Sequence, residues 1–361
     1  MRRPILAVVA AVGVATMLAG CVPGPGTVPR ESLTDGIAQS DDLLSRLLAD
    51  DAPGCSGAVT IDGEIAWAGA RGMADPDAGK AMTTATIFDL ASVSKQFTAT
   101  AILLLDQDGM LELDDALSGH VHGLPRWADD VTLQQLLHHT SGIPDYTGLL
   151  VDAGTEIEKT ASQEDAIAAI ASVATLPDGA GSTFAYSNSN YLLLAEVAEA
   201  ASGISLPQFL AERVFDPLAL DMRLEPGFSS PDVATPFARQ GDTFVETGSR
   251  WTQLGDGSVF ATPSELARWA DNYRTGTVGG KAFLNAITQG AVVTGSPDGS
   301  RYGAGIQIGA DGALSHLGGW AGYVTLFGIT ADRSTAIALS CNSPDVAADQ
   351  IAEGLRIIWA G

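Results

Sequence analysis

The segment Phe88-Asp-Leu-Ala-Ser-Val-Ser-Lys-Gln-Phe-Thr98 joins a candidate nucleophile to the start of a helix. Residues 91–108 have an apolar interior and are followed by Gly109, a pattern that predicts one long helix. Residues three apart share a helix face, so the Ser92 and Lys95 side chains can touch. Free N–H groups at a helix N-terminus stabilise a developing oxyanion. Taken alone, the pair is also typical of a Ser cap beside an exposed Lys.

Two further segments can add polar side chains to the same site. Tyr186-Ser187-Asn188 is the only Tyr-x-Asn sequence in the chain, and it leads into a predicted helix at 191–201. His316-Leu-Gly-Gly319 lies on a predicted strand near the C-terminus. Each segment also has a purely structural interpretation. The first can be a helix cap with a packing Tyr, and the second a strand His beside a glycine turn. The three segments follow one another along the chain as residues 88–98, 186–188 and 316–319.

In that order the segments resemble the motifs of the serine β-lactamase family, in the branch that holds class C β-lactamases, D-stereospecific peptidases and related esterases. Residues 88–98 resemble the Ser-x-x-Lys motif, and residues 186–188 resemble the second motif. His316-Leu-Gly318 stands where the family has Lys-Thr-Gly or His-Thr-Gly. Residues 136–144 resemble a family loop with a largely structural role, and residues 257–266 resemble another family segment.

The resemblance extends over roughly residues 35–359 and implies an α/β sandwich plus a helical domain, with the site between them. The patterning agrees, because predicted strands lie towards both ends of the chain and helices lie in the middle. We therefore predict an α/β (α+β) fold with an antiparallel sheet flanked by helices. The sheet domain would comprise residues 35–115 and 255–361, and the inserted helical domain residues 116–254.

The predicted elements follow from hydrophobic periodicity and turn residues. A hairpin is expected at 55–61 and 64–72, because Asp62-Gly63 is a strong two-residue turn signal. No strong strand pair is predicted between residues 115 and 250. The other predicted strands are 314–317, 322–329 and 335–341, and the other predicted helices are 35–50, 163–173, 206–214 and 346–359.

The resemblance implies acyl transfer through a covalent ester on Ser92. A hydroxyl is a poor nucleophile until a base removes its proton, and both Lys95 and Tyr186 are candidates for that base. Lys95 can act as a neutral amine. Alternatively, a charged Lys95 favours the phenolate of Tyr186, which then takes the proton. The sequence leaves both possibilities open.

On the substrate side, the resemblance implies that Asn188 orients the substrate amide and that His316 bonds near Tyr186 or the leaving group. The backbone N–H groups of Ser92 and Gly319 would form the oxyanion hole. Leu317 replaces a hydroxyl residue that would bind a substrate carboxylate, and His316 supplies less positive charge than a Lys. We therefore expect a hydrolase of small amides or esters, for example a D-Ala-D-Ala carboxypeptidase-like peptidase. The alternatives are a carboxylesterase, a true β-lactamase and a non-catalytic surface binding protein.

The N-terminus has the pattern of a secretory signal. Arg2 and Arg3 precede an apolar run at 5–18, which is too short to span a membrane comfortably. Leu18-Ala-Gly-Cys21 resembles the bacterial lipoprotein box, so we predict a signal peptide at 1–20, lipidation of Cys21 and a tether at 21–34. The protein would then be exported and lipid-anchored at the cell surface. An ordinary secretory signal with an incidental Cys is the alternative.

Cys55 begins the first predicted strand, and Cys341 ends the last. In the resembled family those strands are antiparallel neighbours, which implies a Cys55–Cys341 disulfide. An exported protein would permit that bond. Two buried thiols are the alternative.

The net charge and the histidine spacing indicate which binding partners the protein can have. A formal net charge of -24 argues against a nucleic-acid partner, because phosphate binding needs clustered Lys and Arg. His120, His122, His138 and His139 have no acidic or Cys residues at ligand spacing and read as structural, so neither a metal nor another cofactor is predicted. The predicted partner is a small-molecule or peptide substrate, and the sequence carries no sign of the oligomeric state.

Overall fold

The computed structural model describes residues 30–176, 179–181 and 183–361 of the chain. The predicted signal peptide, the lipidated Cys21 and the tether up to residue 29 lie outside the described residues. The strands are β1 Cys55–Ile61, β2 Glu64–Arg71, β3 Met73–Asp75, β4 Lys80–Ala81, β5 Phe88–Asp89, β6 Arg223–Leu224, β7 Phe237–Gln240, β8 Thr243–Glu246, β9 Val259–Ala261, β10 Val292–Val293, β11 Arg301–Tyr302, β12 Gln307–Ile308, β13 Leu314–Trp320, β14 Tyr323–Ile329 and β15 Thr335–Cys341.

Short 3₁₀ turns and a π turn accompany the α-helices in the described part of the chain. Among the described residues, no helix combines the length and the hydrophobicity needed to cross a membrane. The α-helices are α1 Arg30–Leu47, α2 Lys95–Gln107, α3 Leu133–Leu137, α4 Tyr146–Asp152, α5 Gln163–Ala171, α6 Asn188–Ser202, α7 Leu206–Leu210, α8 Pro263–Trp269, α9 Asn272–Thr275, α10 Gly280–Ala286 and α11 Ala348–Ala360.

Eight strands form one antiparallel sheet in the order β10-β11-β12-β13-β14-β15-β1-β2. The N-terminal hairpin therefore pairs with the C-terminal strands, which confirms the predicted fold. The hairpin turn is also as predicted, because Asp62 and Gly63 both adopt the positive φ that a two-residue turn of this hand requires. The predicted division into sheet and helical domains stays a prediction.

Helices cover both faces of the sheet, and the alternation of side chains along β1 explains why. Val59 packs with Leu44 of α1 and Leu355 of α11 in one apolar cluster. The next residue back, Ala58, belongs to the larger cluster on the opposite face, with Trp269 of α8. Successive side chains of a strand point to opposite faces, so one strand supplies both cores.

Several predicted boundaries were wrong. Residues 30–34, assigned to the tether, belong to α1, which ends at Leu47 and not at residue 50. The single helix predicted at 91–108 is instead a 3₁₀ turn, Ala91–Ser94, followed by α2. The left-handed φ of Ala91, the first residue of this turn, redirects the chain there.

The expectation that no strands pair between residues 115 and 250 was also wrong. β7 and β8 form a hairpin within this range. β7 and β8 are four residues long, and their apolar residues are adjacent, so they lack the alternating apolar signal of a half-buried strand. β10, β11 and β12 escaped prediction because each has only two residues.

The Cys55–Cys341 disulfide is present and joins the two terminal parts of the sheet. Cys55 lies directly opposite Cys341 in the β1–β15 pairing, and both side chains are fully buried. The bond connects residues separated by 286 positions in the sequence. Closing so long a loop restricts the unfolded chain far more than the folded one.

We expect replacement of both bonded cysteines by Ala to lower the free energy of unfolding by about 2–4 kcal/mol. The measurement is thermal or urea unfolding, compared with protein that carries only Cys21→Ser. That control also serves for thiol titration, because it leaves Cys55 and Cys341 as the only cysteines. Two free thiols per folded, non-reduced molecule would contradict the bond.

Candidate active site

Ser92 lies in the 3₁₀ turn that precedes α2. The chain enters this turn through Ala91, whose φ of 49° is unusual for a residue with a Cβ. The Ala91 N–H donates to Asp89 Oδ1 at 2.8 Å, which holds the turn, and burial raises the pKa of Asp89 to about 6. The first turn of a helix leaves its N–H groups without helical partners. The Ser92 N–H is therefore a free donor beside the Ser92 hydroxyl.

Lys95 is completely buried, and its Nζ contacts three oxygen atoms. It lies 3.0 Å from Ser92 Oγ, 2.7 Å from Asn188 Oδ1 and 2.8 Å from the main-chain oxygen of Asp256. An amide or peptide oxygen can only accept a hydrogen bond, so two Nζ hydrogens are committed to Asn188 and Asp256. The remaining Nζ position points to Ser92. It carries a hydrogen in the ammonium form and a lone pair in the neutral amine.

Asn188 is the first residue of α6 and is fixed from two directions. Its backbone N–H donates to Asp145 Oδ2 at 2.8 Å, and its side-chain oxygen accepts from Lys95. The side-chain NH₂ group remains as a donor. Asn188 also lines a pocket of about 60 Å³ that opens beside Ser92. The structure thus brings Ser92, Lys95 and Asn188 together, as the sequence predicts.

Tyr186 approaches Lys95 with its ring. Lys95 Nζ lies 5.0 Å from the ring centroid, and 39% of the Tyr186 surface is exposed. On the other side, the His139 ring stacks at a centroid distance of 4.3 Å, and His139 Nδ1 accepts the Ser187 N–H at 3.2 Å. Although Tyr186, Ser92 and Lys95 are all described, the Tyr186 hydroxyl bonds to neither of the other two. Lys95 is therefore the group in direct contact with the Ser92 hydroxyl.

Gly319 lies on β13, next to the turn that leads to β14, and lines the same pocket as Ser92. Trp320 and Tyr323 flank a two-residue turn, so they form the hydrogen-bonded pair that closes the hairpin. Hydrogen-bonded and non-bonded pairs alternate along an antiparallel ladder, so Gly319 and Val324 are a non-bonded pair. The Gly319 N–H therefore points away from β14. β12 pairs with β13 only at Leu314 and Ser315, so this donor faces an open edge beside the pocket.

The neighbouring Gly318 lies so close to the turn before Ser92 that there is no room for a side chain. A Cβ on Gly318 would lie 2.3 Å from the main-chain oxygen of Leu90 and 3.2 Å from Ala91 Cβ. The turn before Ser92 thus packs directly against β13. This packing fixes the distance between the two backbone donors, Ser92 N–H and Gly319 N–H.

We expect Gly318→Ala to destabilise the fold by about 1–3 kcal/mol, because the added methyl group must displace backbone atoms. It should also lower kcat by pushing the turn before Ser92 away from β13. Gly319→Ala is the matched control for stability, since a Cβ there meets nothing within 4 Å. Thermal unfolding of both variants tests the packing, and equal losses of stability would contradict it.

A family model described as Beta-lactamase matches residues 40–358. The chain belongs to the Beta-lactamase family. It is therefore a serine hydrolase of this fold, as predicted.

The chain is similar in sequence to a penicillin-binding protein and to a D-aminopeptidase. The chain is 29% identical to penicillin-binding protein 4* of Bacillus subtilis over 314 residues, which cover 80% of this chain and 68% of that protein. It is 33% identical to a D-aminopeptidase of Brucella anthropi over 223 residues, but this match covers 60% of the chain and only 42% of the relative. The chain thus spans about two-fifths of that D-aminopeptidase.

Solved structures agree on the fold. A penicillin-binding protein homologue from Pyrococcus abyssi, described as octameric, has a TM-score of 0.77 at 24% identity, covering 91% of this chain and 77% of the other. A D-stereospecific amidohydrolase from Streptomyces sp. has a TM-score of 0.75 at 22% identity, covering 90% of this chain and 99% of the other. At these identities the likeness shows the fold alone.

His316 occupies the third motif position of the β-lactamase family, but its side chain is turned inward. It is buried, its Nδ1 lies 2.7 Å from the Leu317 main-chain oxygen, and its Nε2 lies 2.9 Å from the Tyr302 hydroxyl. Burial, together with the Lys95 charge, lowers the pKa of His316 to about 3, so the ring is neutral. Its ring centroid lies 6.5 Å from that of Tyr186. Both His316 nitrogens thus have partners within the protein, and the predicted contact with substrate stays a prediction.

Tyr146 and Asp256 are pocket residues that sequence reasoning missed. The Tyr146 hydroxyl donates to Asp256 Oδ2 at 3.0 Å, while the Asp256 main-chain oxygen accepts from Lys95. Burial raises the pKa of Asp256 to about 6, even though Lys95 and Tyr146 both act to lower it. The only available signal was an acidic residue between two glycines, Gly255 and Gly257, directly before a segment that resembles the family.

His120, His138 and His139 each have contacts within the protein. His120 Nε2 lies 3.1 Å from Asp115 Oδ2. His138 and His139 are buried, and burial lowers the pKa of each, to about 4 for His138. Within the described ranges, no group of three or more His, Cys, Asp or Glu side chains is placed to hold a metal ion.

Proposed function

We propose that this hydrolase cleaves small amides or short peptides of D-amino acids through an acyl-enzyme on Ser92. The observation that carries the proposal is the 3.0 Å contact between Ser92 Oγ and Lys95 Nζ, in a pocket that Gly319 also lines. In this proposal Ser92 is the nucleophile, Lys95 or Tyr186 is the base, and Asn188 donates to the substrate.

The reaction proceeds in two steps. Ser92 Oγ attacks the carbonyl carbon as its proton passes to the base, and the carbonyl oxygen becomes negative between the Ser92 and Gly319 N–H groups. Each such donor typically stabilises the transition state by about 3 kcal/mol. The proton then moves to the leaving amine, the C–N bond breaks, and an ester on Ser92 remains. Water attacks this ester, losing a proton to the base, and releases the acid and the free serine.

The relatives support a D-configured amide substrate, since the D-aminopeptidase of Brucella anthropi is among them. They also favour the D-stereospecific peptidase branch over the class C β-lactamase branch. Leu317 and the neutral His316 support the same choice, because neither supplies charge or a hydroxyl for the carboxylate of a β-lactam or of a D-Ala-D-Ala terminus.

A substrate panel tests this function. We expect D-alanine p-nitroanilide to be hydrolysed with a higher kcat/KM than its L-enantiomer or the β-lactam nitrocefin. A p-nitrophenyl ester and a D-Ala-D-Ala peptide complete the panel. Faster hydrolysis of nitrocefin would indicate a true β-lactamase, and turnover of esters alone a carboxylesterase. Covalent labelling without any turnover would indicate a binding protein.

We also propose that the protein is exported and anchored through a lipid on Cys21. The basic residues, apolar run and Cys-containing box occur in the required order, and the Cys55–Cys341 disulfide suits an oxidising compartment. Metabolic labelling with an alkyne fatty acid should mark the wild-type protein and not Cys21→Ser. Equal labelling of the two, or no membrane association of the wild type, would contradict the anchor.

A further inference from the structure

Asp256 places a carboxyl group in the pocket that holds the nucleophile. Among the described residues that line this pocket, it is the only one with a charged side chain. It remains partly exposed, because it lies at a pocket wall and not in the core. Its position is fixed by its main-chain bond to Lys95 and by the Tyr146 hydroxyl.

The charges around Asp256 leave its carboxylate without an ion pair. Lys95 reaches the main-chain oxygen of Asp256, and Tyr146 supplies a neutral donor. The other charged groups that face it are the acidic Asp145 and Asp89. Burial withdraws this carboxylate from water, and the nearby Lys95 charge offsets only part of the resulting cost in folding free energy. A cation entering the pocket from solvent would offset that cost.

The neighbouring walls also suit a cation. Trp251 lies with its ring centroid 6.2 Å from that of Tyr146 and 5.6 Å from that of Trp320. All three rings line the pocket, and aromatic faces attract ammonium groups. In an amino-acid amide, one carbon atom separates the ammonium group from the scissile carbonyl carbon. In so narrow a pocket, a substrate attacked by Ser92 keeps its α-ammonium group close to these walls.

We propose that Asp256 is a specificity-determining residue that selects substrates with a free α-ammonium group on the acyl residue. The enzyme then removes or deamidates an N-terminal amino acid and discriminates against N-acylated and anionic substrates. This inference rests on the proposed function, because it concerns the acyl group transferred to Ser92. It goes further by naming the residue that recognises the substrate and the end of the peptide that is cleaved.

Asp256→Asn isolates the charge, because the Asn oxygen can still accept from Tyr146 and the main-chain bond to Lys95 remains. The two substrates are D-alanine p-nitroanilide and its N-acetyl derivative. We expect the wild-type enzyme to prefer the free amine by about tenfold or more in kcat/KM, and Asp256→Asn to reduce this preference by about tenfold. Asp242→Asn removes the same charge from the exposed β7–β8 turn and should leave the preference unchanged.

The pH dependence of the preference gives a second readout. The Asp256 carboxyl is charged above its pKa of about 6, and the substrate amine is charged below about 7.7–8.0. The preference should therefore be greatest between these values and fall on both sides. Asp256→Asn should abolish the acidic limb. Tyr146→Phe should move that limb to higher pH, because the Tyr146 hydroxyl lowers the pKa of Asp256.

Protection against a fluorophosphonate probe separates this inference from the proposed function. D-alaninamide should slow labelling of wild-type Ser92 more than N-acetyl-D-alaninamide does, and Asp256→Asn should remove the difference. If both amides slow labelling of the wild type equally, or if Asp256→Asn keeps the preference for the free amine, Asp256 does not select the amine. A uniform loss for every substrate with a lower Tm would assign it a structural role and overturn the inference. Failure of the probe to label Ser92 at all would instead refute the proposed function.

Discussion

Ser92→Ala should abolish covalent labelling by fluorophosphonate and lower kcat by roughly a million-fold, the scale expected when a serine nucleophile is lost. The physical reason is that no ester can form without the Ser92 oxygen. Lys95 keeps its bonds to Asn188 and Asp256 in this variant, so the pocket should retain its shape. We therefore expect the Tm to change little, and any loss of activity to reflect chemistry and not unfolding.

The matched control for this prediction is Ser187→Ala. Ser187 lies between Tyr186 and Asn188, and its buried hydroxyl has no hydrogen-bond partner in the structure. Removing an unsatisfied buried hydroxyl is neutral or stabilising, so labelling should persist at the wild-type rate. Undiminished labelling of Ser92→Ala would show that another residue is the nucleophile. Mass spectrometry of the labelled peptide would then identify it.

Part of this site could be predicted because its residues belong to short motifs. Ser92 and Lys95 are three positions apart, so a helical turn allows the contact that the structure shows. Asn188 is 93 residues from Lys95, and no local pattern places the two together. Its contact could be expected only because the order of motifs resembles a known family.

Tyr146 and Asp256 could not be predicted, because tertiary packing alone brings them together. They are 110 positions apart, and neither belongs to a motif with a fixed spacing. The inward orientation of His316 could not be predicted either, because it also depends on tertiary packing. Its partner Tyr302 lies on β11, one of the two-residue strands that leave no periodic signal in the sequence.

The strands of the sheet also differ in how well the sequence predicts them. The seven-residue strands β1 and β15 alternate between two cores and were predicted with their observed bounds. The edge of the sheet formed by β10, β11 and β12 depends on pairing with β13 and not on its own sequence. Long-range pairing therefore determines the edge, whereas local patterning is sufficient for the centre.

Loss of Lys95 should be the second most damaging change, with Lys95→Ala slowing acylation by about 10³-fold. Lys95 Nζ is in contact with Ser92 Oγ, and its other two contacts are oxygen atoms that can only accept. A neutral amine in this position directs its lone pair at the Ser92 hydroxyl. The Tyr186 hydroxyl bonds to neither Ser92 nor Lys95, so Tyr186→Phe should slow acylation by only about tenfold. Rates of fluorophosphonate labelling, taken before turnover, measure both effects.

Rescue by an added amine separates the role of a base from that of a buried charge or a packing group. Lys95→Ala leaves a space beside Ser92 that a small primary amine can enter from the pocket. If Lys95 is the base, propylamine should restore part of the acylation rate, and the gain should increase with pH as the neutral amine accumulates. Guanidinium carries the charge without basicity at these pH values and should give no rescue. Equal rescue by both compounds, or a loss in Tyr186→Phe as large as that in Lys95→Ala, would transfer the role of base to Tyr186, because Lys95 would then be needed only for its positive charge.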